Sequence, residues 1–116
     1  MQHNIPKLLA DIIASGEIIV SRSNGKSAED YRASVDLRSI LERHYIIIGE
    51  ALNRLDRTHP DVASKINART RSIAFRNYLV HGYDTVDHDI VWQITREPLP
   101  NLRETCRSLL KAYPIS

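Results

Sequence analysis

The sequence predicts an all-α fold, a bundle of four or five helices joined by short connections. Apolar residues recur at intervals of three and four along most of the chain, which is typical of helices with one buried face. The 116 residues include only four glycines and five prolines, too few turn formers for a sandwich or barrel of many short strands. With 42% hydrophobic and 26% charged residues the composition is that of a globular protein, and we expect one domain over residues 1–116.

The first part of the chain predicts two helices separated by a turn. The first helix carries an apolar stripe that includes Gly16, where a missing side chain allows another helix to approach closely. Asn24 and Gly25 mark the turn, and Ser27 followed by Asp30 is typical of the capped start of a short second helix. The stripe of the first helix comprises Ile5, Leu8, Leu9, Ile12, Gly16, Ile19 and Val20.

A longer third helix is predicted from about Val35 to Leu55. The β-branched run 46–48 taken alone is also typical of a buried strand, but no turn residues bracket it and the helical period continues through it. One side of this helix carries Leu37, Leu41, His44, Ile48, Ala51 and Leu55. Residues 58–61 then supply a cap, an early proline and a first-turn acid, which predict a fourth helix that runs to His81 and ends at Gly82.

Two further helices are predicted in the last third of the chain. The first opens at residues 84–87 and is ended by Pro98 and Pro100, and the second starts at about Asn101. We interpret Cys106 as a small core residue rather than a nucleophile. The apolar positions are Ile90, Val91 and Ile94 in the first helix, and Leu102, Cys106, Leu109, Leu110 and Tyr113 in the second.

Composition also limits the class of protein. The longest apolar stretches, such as 45–48, are far shorter than the roughly 20 residues of a membrane span. The N-terminus lacks the basic and apolar regions of a secretory signal, and the single cysteine fits a reducing compartment, so we expect a cytoplasmic protein.

Charge is segregated in the second half of the chain, although the net charge is only +2. Four basic residues and one acid lie between positions 60 and 83, whereas four acids and one arginine lie between positions 84 and 98. This pattern fits either a solvated surface or a basic groove for an anionic partner beside an acidic patch for another protein.

The end of the fourth predicted helix carries the chemically informative side chains. Asn77 and His81 lie one helical turn apart, and Arg76 and Tyr83 flank them. The surrounding residues are apolar on nearly every side, which indicates a helix that is buried or shared between two subunits. A lone arginine, asparagine or histidine in such a helix usually has a structural role. The combination of these residues is therefore stronger evidence of a functional site than any one of them.

The spacing Arg-x4-His-x-Tyr, with Asn directly after the Arg, resembles the signature of HepT-like proteins of the HEPN superfamily. These are small all-helical ribonucleases and are often the toxin half of a toxin–antitoxin pair. The pair 49–50, Gly-Glu, is similar to one that is usual in the family, and residues 81–94 and 99–102 resemble its C-terminal half. The resemblance therefore covers most of the chain.

This resemblance implies that Arg76 and His81 are catalytic and that Asn77 supports them, by orienting His81 or tying the helix ends together. The implied reaction is metal-independent RNA cleavage, in which the ribose 2′-hydroxyl attacks the adjacent phosphate. Histidine titrates near neutral pH and suits proton transfer, and arginine offers a planar cationic fork to phosphate oxygens. No cofactor is implied, and no cluster with metal-ligand spacing supports a metal-dependent alternative.

A geometric question follows, because five residues place Arg76 and His81 about 140° apart on a helix. The arginine wraps round the helix, or unwinding at Gly82 moves His81, or the site is completed in trans. We favour the last, since the family forms homodimers whose motifs face a shared cleft. Apolar contacts for such a dimer are expected from Phe75, Leu79 and Val80.

Tyr83 has two interpretations. Its ring packs over the helix end, or, as the resemblance implies, its hydroxyl receives AMP from an MntA-like nucleotidyltransferase antitoxin that silences the RNase. The acids Asp84, Asp87 and Asp89 are then a docking surface for that partner, and Trp92 is either an exposed anchor or a core residue.

The leading hypothesis is thus an RNase toxin of a type VII-like module. The alternative is a non-catalytic HEPN module that binds nucleotide or the nucleotidyltransferase. Glu50 either pairs with a motif arginine or is simply exposed, and we leave it out of the site. His44 is interpreted as a core or interface residue.

Overall fold

The computed structural model describes residues 4–82 and 84–114, and this part of the chain is helical without any strand. The all-α prediction is therefore confirmed. Within it no helix is long and apolar enough to cross a membrane. Five helices of nine residues or more and two short ones follow in the order α1 Asn4–Ser23, α2 Ala28–Ala33, α3 Val35–Thr58, α4 Pro60–Ala63, α5 Arg69–His81, α6 His88–Arg96 and α7 Pro98–Ala112.

Helix α3 lies at the centre of the bundle, with α1 and α5 packed against it and α7 packed against α1. The apolar stripes predicted for α1 and α3 lie in the core, and the isoleucine run of α3 is helical as predicted. The most deeply buried residues of the two helices are Leu9, Ile12, Ile19, Leu41, Ile48, Leu52 and Leu55.

The short helix α2 begins with the predicted capping box. The backbone N–H of Asp30 donates to the Ser27 hydroxyl, and the backbone N–H of Ser27 donates to the Asp30 carboxylate. Tyr31 then stacks on Trp92 of α6, with ring centroids 5.4 Å apart. Trp92 is consequently a core residue and not an exposed anchor, whereas Ile90, predicted on the buried stripe, is 44% exposed.

The prediction of one continuous fourth helix is wrong. The chain forms α4, leaves the helical path over residues 64–68, and resumes as α5. His59 rather than Thr58 precedes the helix, and its side chain makes no capping hydrogen bond. Val62, Ala63 and Ile66 of this region enter the core, and α5 packs against α3.

The start of α7 is also earlier than predicted. The sequence assigned Pro98 and Pro100 to a break, but α7 begins at Pro98 and contains both prolines in its first turn. Proline is tolerated there because backbone N–H groups of the first turn have no partner within the helix. Cys106 is fully buried, and burial raises the pKa of its thiol to about 12, as expected for a core cysteine.

Helices α3 and α5 approach each other closely at Gly49. A Cβ atom built on Gly49 lies 2.3 Å from Arg76 Cβ and 2.9 Å from the backbone oxygen of Ser72, both well inside contact distance. At Gly16 the same construction meets only the stem of Arg103 at 3.6 Å, an ordinary contact. Of these two helical glycines, only Gly49 requires the absence of a side chain.

We expect Gly49→Ala to lower the free energy of unfolding by about 1–3 kcal/mol, because the backbone of α5 must move to admit the methyl group. Gly16→Ala is the matched control, and it should be neutral or stabilising by up to about 1 kcal/mol through helix propensity. Equilibrium urea denaturation measures both. Equal effects at the two glycines would contradict the close crossing.

Candidate active site

Arg76 is held between α3 and α5 with its guanidinium at the surface. Nη2 donates to Glu50 Oε1 of α3 at 3.1 Å, and Nη1 donates to Asn77 Oδ1 at 3.0 Å. The first carbons of its side chain lie over Gly49, and its Nε atom is buried without a hydrogen-bond partner. With 29% of the side chain exposed, the guanidinium is anchored yet open to an anion.

Glu50 belongs to this site, although the sequence left it outside. Its carboxylate balances the charge of Arg76 and is itself 56% exposed, so water screens the pair and a phosphate group can replace it. The signal was present in the sequence as the Gly49–Glu50 pair. Gly49 allows α5 to approach α3 closely, and Glu50, the next residue, therefore lies within hydrogen-bonding distance of Arg76.

His81 is the last residue of α5, and its side chain is exposed. The backbone N–H of Gly82 donates to the Tyr78 carbonyl at 2.9 Å, so the helix stays regular through His81 and unwinding does not move the ring. Gly82 ends the helix, as predicted, with an ordinary negative φ of −108°.

Asn77 lies between the arginine and the histidine in angle around α5. It is one turn from His81, and its Oδ1 accepts a hydrogen bond from Arg76. The guanidinium is thereby turned towards the side of the helix that carries His81. The described residues thus bring Arg76, Asn77 and Glu50 into direct contact, and place His81 one turn beyond Asn77.

The segment after α5 is fastened to that helix by Tyr78. The Tyr78 hydroxyl accepts from the backbone N–H of Asp87 at 2.7 Å, and the Thr85 hydroxyl donates to the Gly82 carbonyl at 3.1 Å. Nothing in the sequence pattern singled out Tyr78 for this role. Tyr83 lies outside the described residues.

The three acids predicted as a docking surface have different surroundings. Asp87 caps α6 through the backbone N–H of Asp89, and Asp89 forms an ion pair with Arg32 at 2.6 Å. Asp84 is exposed. Two of the three acids therefore stabilise local structure whatever else they contact.

The three residues predicted as apolar dimer contacts differ in their exposure. Leu79 is 3% exposed and belongs to the core of one chain, which corrects its assignment to an interface. Phe75 is partly buried against Tyr45, with ring centroids 5.2 Å apart. Val80 is 37% exposed and remains available to a second copy.

His44 has a structural environment away from Arg76. Its Nδ1 lies 3.1 Å from the hydroxyl of Ser15, and burial is the main cause that lowers the pKa of its ring. Over residues 4–82 and 84–114, no group of three His, Cys, Asp or Glu side chains is placed to hold a metal ion.

An all-helical bundle that presents arginine, amide and histidine side chains from one helix has the parts of an anion-binding acid–base site. The sequence profile of the family described as "Ribonuclease HepT-like" matches residues 12–109. The chain belongs to this family of HEPN-type ribonucleases, and membership supports ribonuclease activity in general.

Individual relatives agree with the family. The chain is 28% identical to a protein of Thermococcus cleftensis named a probable ribonuclease HepT, over 96% of this chain and 100% of the relative. It is 27% identical to a protein of Caldanaerobacter subterraneus named as a candidate RNase, over 89% of this chain and 91% of the relative.

A third relative is larger. The chain is 24% identical to half of a Methanocaldococcus jannaschii protein, whose name combines a gamma-glutamylcyclotransferase with a candidate RNase. No solved structure matches the chain.

Proposed function

We propose that this protein is a metal-independent RNA endonuclease in which Arg76 and His81 are catalytic and Asn77 and Glu50 hold the arginine in place. The observation that carries the proposal is the hydrogen bond from Arg76 to Asn77, which directs the guanidinium towards the His81 side of α5. Family membership supports RNA as the substrate.

The proposed reaction needs no cofactor. The ribose 2′-oxygen attacks the adjacent phosphorus, and the bond from phosphorus to the 5′-oxygen breaks. The products are one RNA fragment that ends in a 2′,3′-cyclic phosphate and one that begins with a 5′-hydroxyl. His81 exchanges protons with the attacking 2′-oxygen or the leaving 5′-oxygen. Arg76 exchanges Glu50 for the phosphate oxygens and stabilises the negative charge that builds on them.

We expect His81→Ala and Arg76→Ala each to lower the rate of RNA cleavage by about 100-fold or more, since each removes a group that acts in the transition state. Purified variants are incubated with RNA in EDTA, and circular dichroism with thermal melting checks their folding. Arg22→Ala, which removes an exposed arginine at the end of α1, is the matched control and should cleave like wild type.

Cleavage by both variants at the wild-type rate would remove Arg76 and His81 from the mechanism. Activity that EDTA abolishes would indicate a metal-dependent reaction. A folded wild-type protein that cleaves no RNA would favour the non-catalytic HEPN module.

We propose further that the active unit is a homodimer in which the site is completed in trans. The exposed His81 and Val80 lie on the side of α5 that the rest of the chain leaves uncovered. A two-fold axis near this surface would bring Arg76 of one copy to His81 of the other.

Mixing the two inactive variants tests this arrangement. In a heterodimer of Arg76→Ala and His81→Ala chains, a trans site recovers one intact arginine–histidine pair, whereas a cis site recovers none. Random pairing should therefore restore about a quarter of wild-type activity. A sedimentation mass near 13.3 kDa, or a mixture that stays inactive, would contradict the composite site.

The biological role that we propose is the toxin of a type VII-like toxin–antitoxin module, silenced when an MntA-like nucleotidyltransferase adds AMP to Tyr83. The tyrosine follows His81 by two residues in the sequence, which is the position that the family resemblance implies for the modification. A phosphate attached there would occupy the place where Arg76 receives the phosphate of RNA.

Tyr83→Phe should keep its ribonuclease activity and escape silencing, because the hydroxyl that accepts AMP is gone. Intact-mass measurement after incubation with ATP and the partner enzyme should show added AMP units on wild type only. Tyr113→Phe is the control and should be modified like wild type. Equal mass added to the Tyr83→Phe protein would place the modification elsewhere.

A further inference from the structure

A groove with a volume of about 810 Å³ separates α5 from α6 and α7, and it is distinct from the Arg76 site. Its floor is apolar and partly aromatic, with Tyr45 and Phe75 packed edge to face and Leu102 opposite them. Arg71 and Asn101 stand on its rim and are exposed. Ligand sites of this size typically combine an apolar lining with a few convergent polar groups.

The chemistry of the groove fits unstacked nucleobases. Proteins bind single-stranded RNA by stacking bases on aromatic rings or arginine planes, and by hydrogen bonds in which side-chain amides donate to or accept from base edges and carboxylates accept from them. The groove supplies all of these, with Phe75 in its wall, Arg71 on one rim, and Asn101 and Glu104 on the other.

The groove and the candidate active site share helix α5. Ser72 and Phe75 line the groove, and Arg76 is the next residue along the chain. Around the helix, Phe75 lies about 140° from Val80 and about 120° from His81, so the groove is on a different side of α5 from the surface that we assign to the dimer. An RNA strand that fills the groove and reaches Arg76 must cross α5 and therefore span several nucleotides.

We infer that this groove is a binding site for nucleobases of the RNA strand, several nucleotides from the bond that is cut. The inference rests on the proposed function and deepens it, since it makes the groove a determinant of substrate length and base preference. Arg71, Phe75 and Asn101 are the residues that provide the binding.

Binding of a non-cleavable RNA tests the groove without requiring cleavage. The probes are a fluorescent 2′-O-methyl hexanucleotide and the same backbone without its bases, and the readout is fluorescence anisotropy. Wild type should bind the complete hexanucleotide about tenfold or more tightly than the abasic one, because stacking on aromatic side chains contributes at this scale.

A variant that fills the groove should remove this difference. Asn101→Trp places a bulky ring on the rim, and we expect it to bind the two probes equally. Ser108→Trp is the matched control, since Ser108 is exposed on the same helix outside the groove, and it should keep the wild-type difference. Arg71→Ala should weaken binding of the complete hexanucleotide several-fold more than Arg22→Ala.

Three results would overturn the inference. Wild type binds both probes equally or binds neither, Asn101→Trp keeps the full difference, or Asn101→Trp converts a dimer to a monomer in sedimentation, which would make the groove an interface between copies. A protein that passes this test and yet cleaves no RNA contradicts the proposed function and leaves the groove assignment standing.

Discussion

The close approach of α3 and α5 at Gly49 is the constraint on which the rest of the site depends. Without a side chain at this position, the backbone of α5 comes near enough for Arg76 to lie directly over α3. Glu50, one residue further, then reaches the guanidinium. A larger residue at position 49 would separate the two helices, and the arginine would lose both its support and its ionic partner.

Helix α5 packs mainly against α3, and this one-sided anchoring leaves its other faces free for different tasks. Leu79 secures the helix in the core. One free flank carries Asn77 and His81, and the other contributes Phe75 to the groove. Thirteen residues thus hold a core contact, a candidate active site and a candidate RNA-binding surface.

The errors in the predicted helix boundaries have two different causes. The bend over residues 64–68 contains neither glycine nor proline, so no helix-breaking residue marks it in the sequence. The prolines at the start of α7 misled the prediction in another way. Proline breaks a helix when it lies in the interior, but it is favoured in the first turn, and the sequence alone does not distinguish the two positions. Periodicity located the helices, and packing decided where two of them begin.

The sequence by itself determined the all-α class, the apolar faces of α1 and α3, the capping box of α2, and the presence of Arg76, Asn77 and His81 on one helix. These features depend on residues within a few turns of each other, and local spacing encodes them. Only the tertiary structure decided that Glu50 pairs with Arg76 across 26 positions, that Trp92 is buried on Tyr31, and that Phe75 faces a groove. Such contacts join distant parts of the chain, and only the packing of whole helices brings them together.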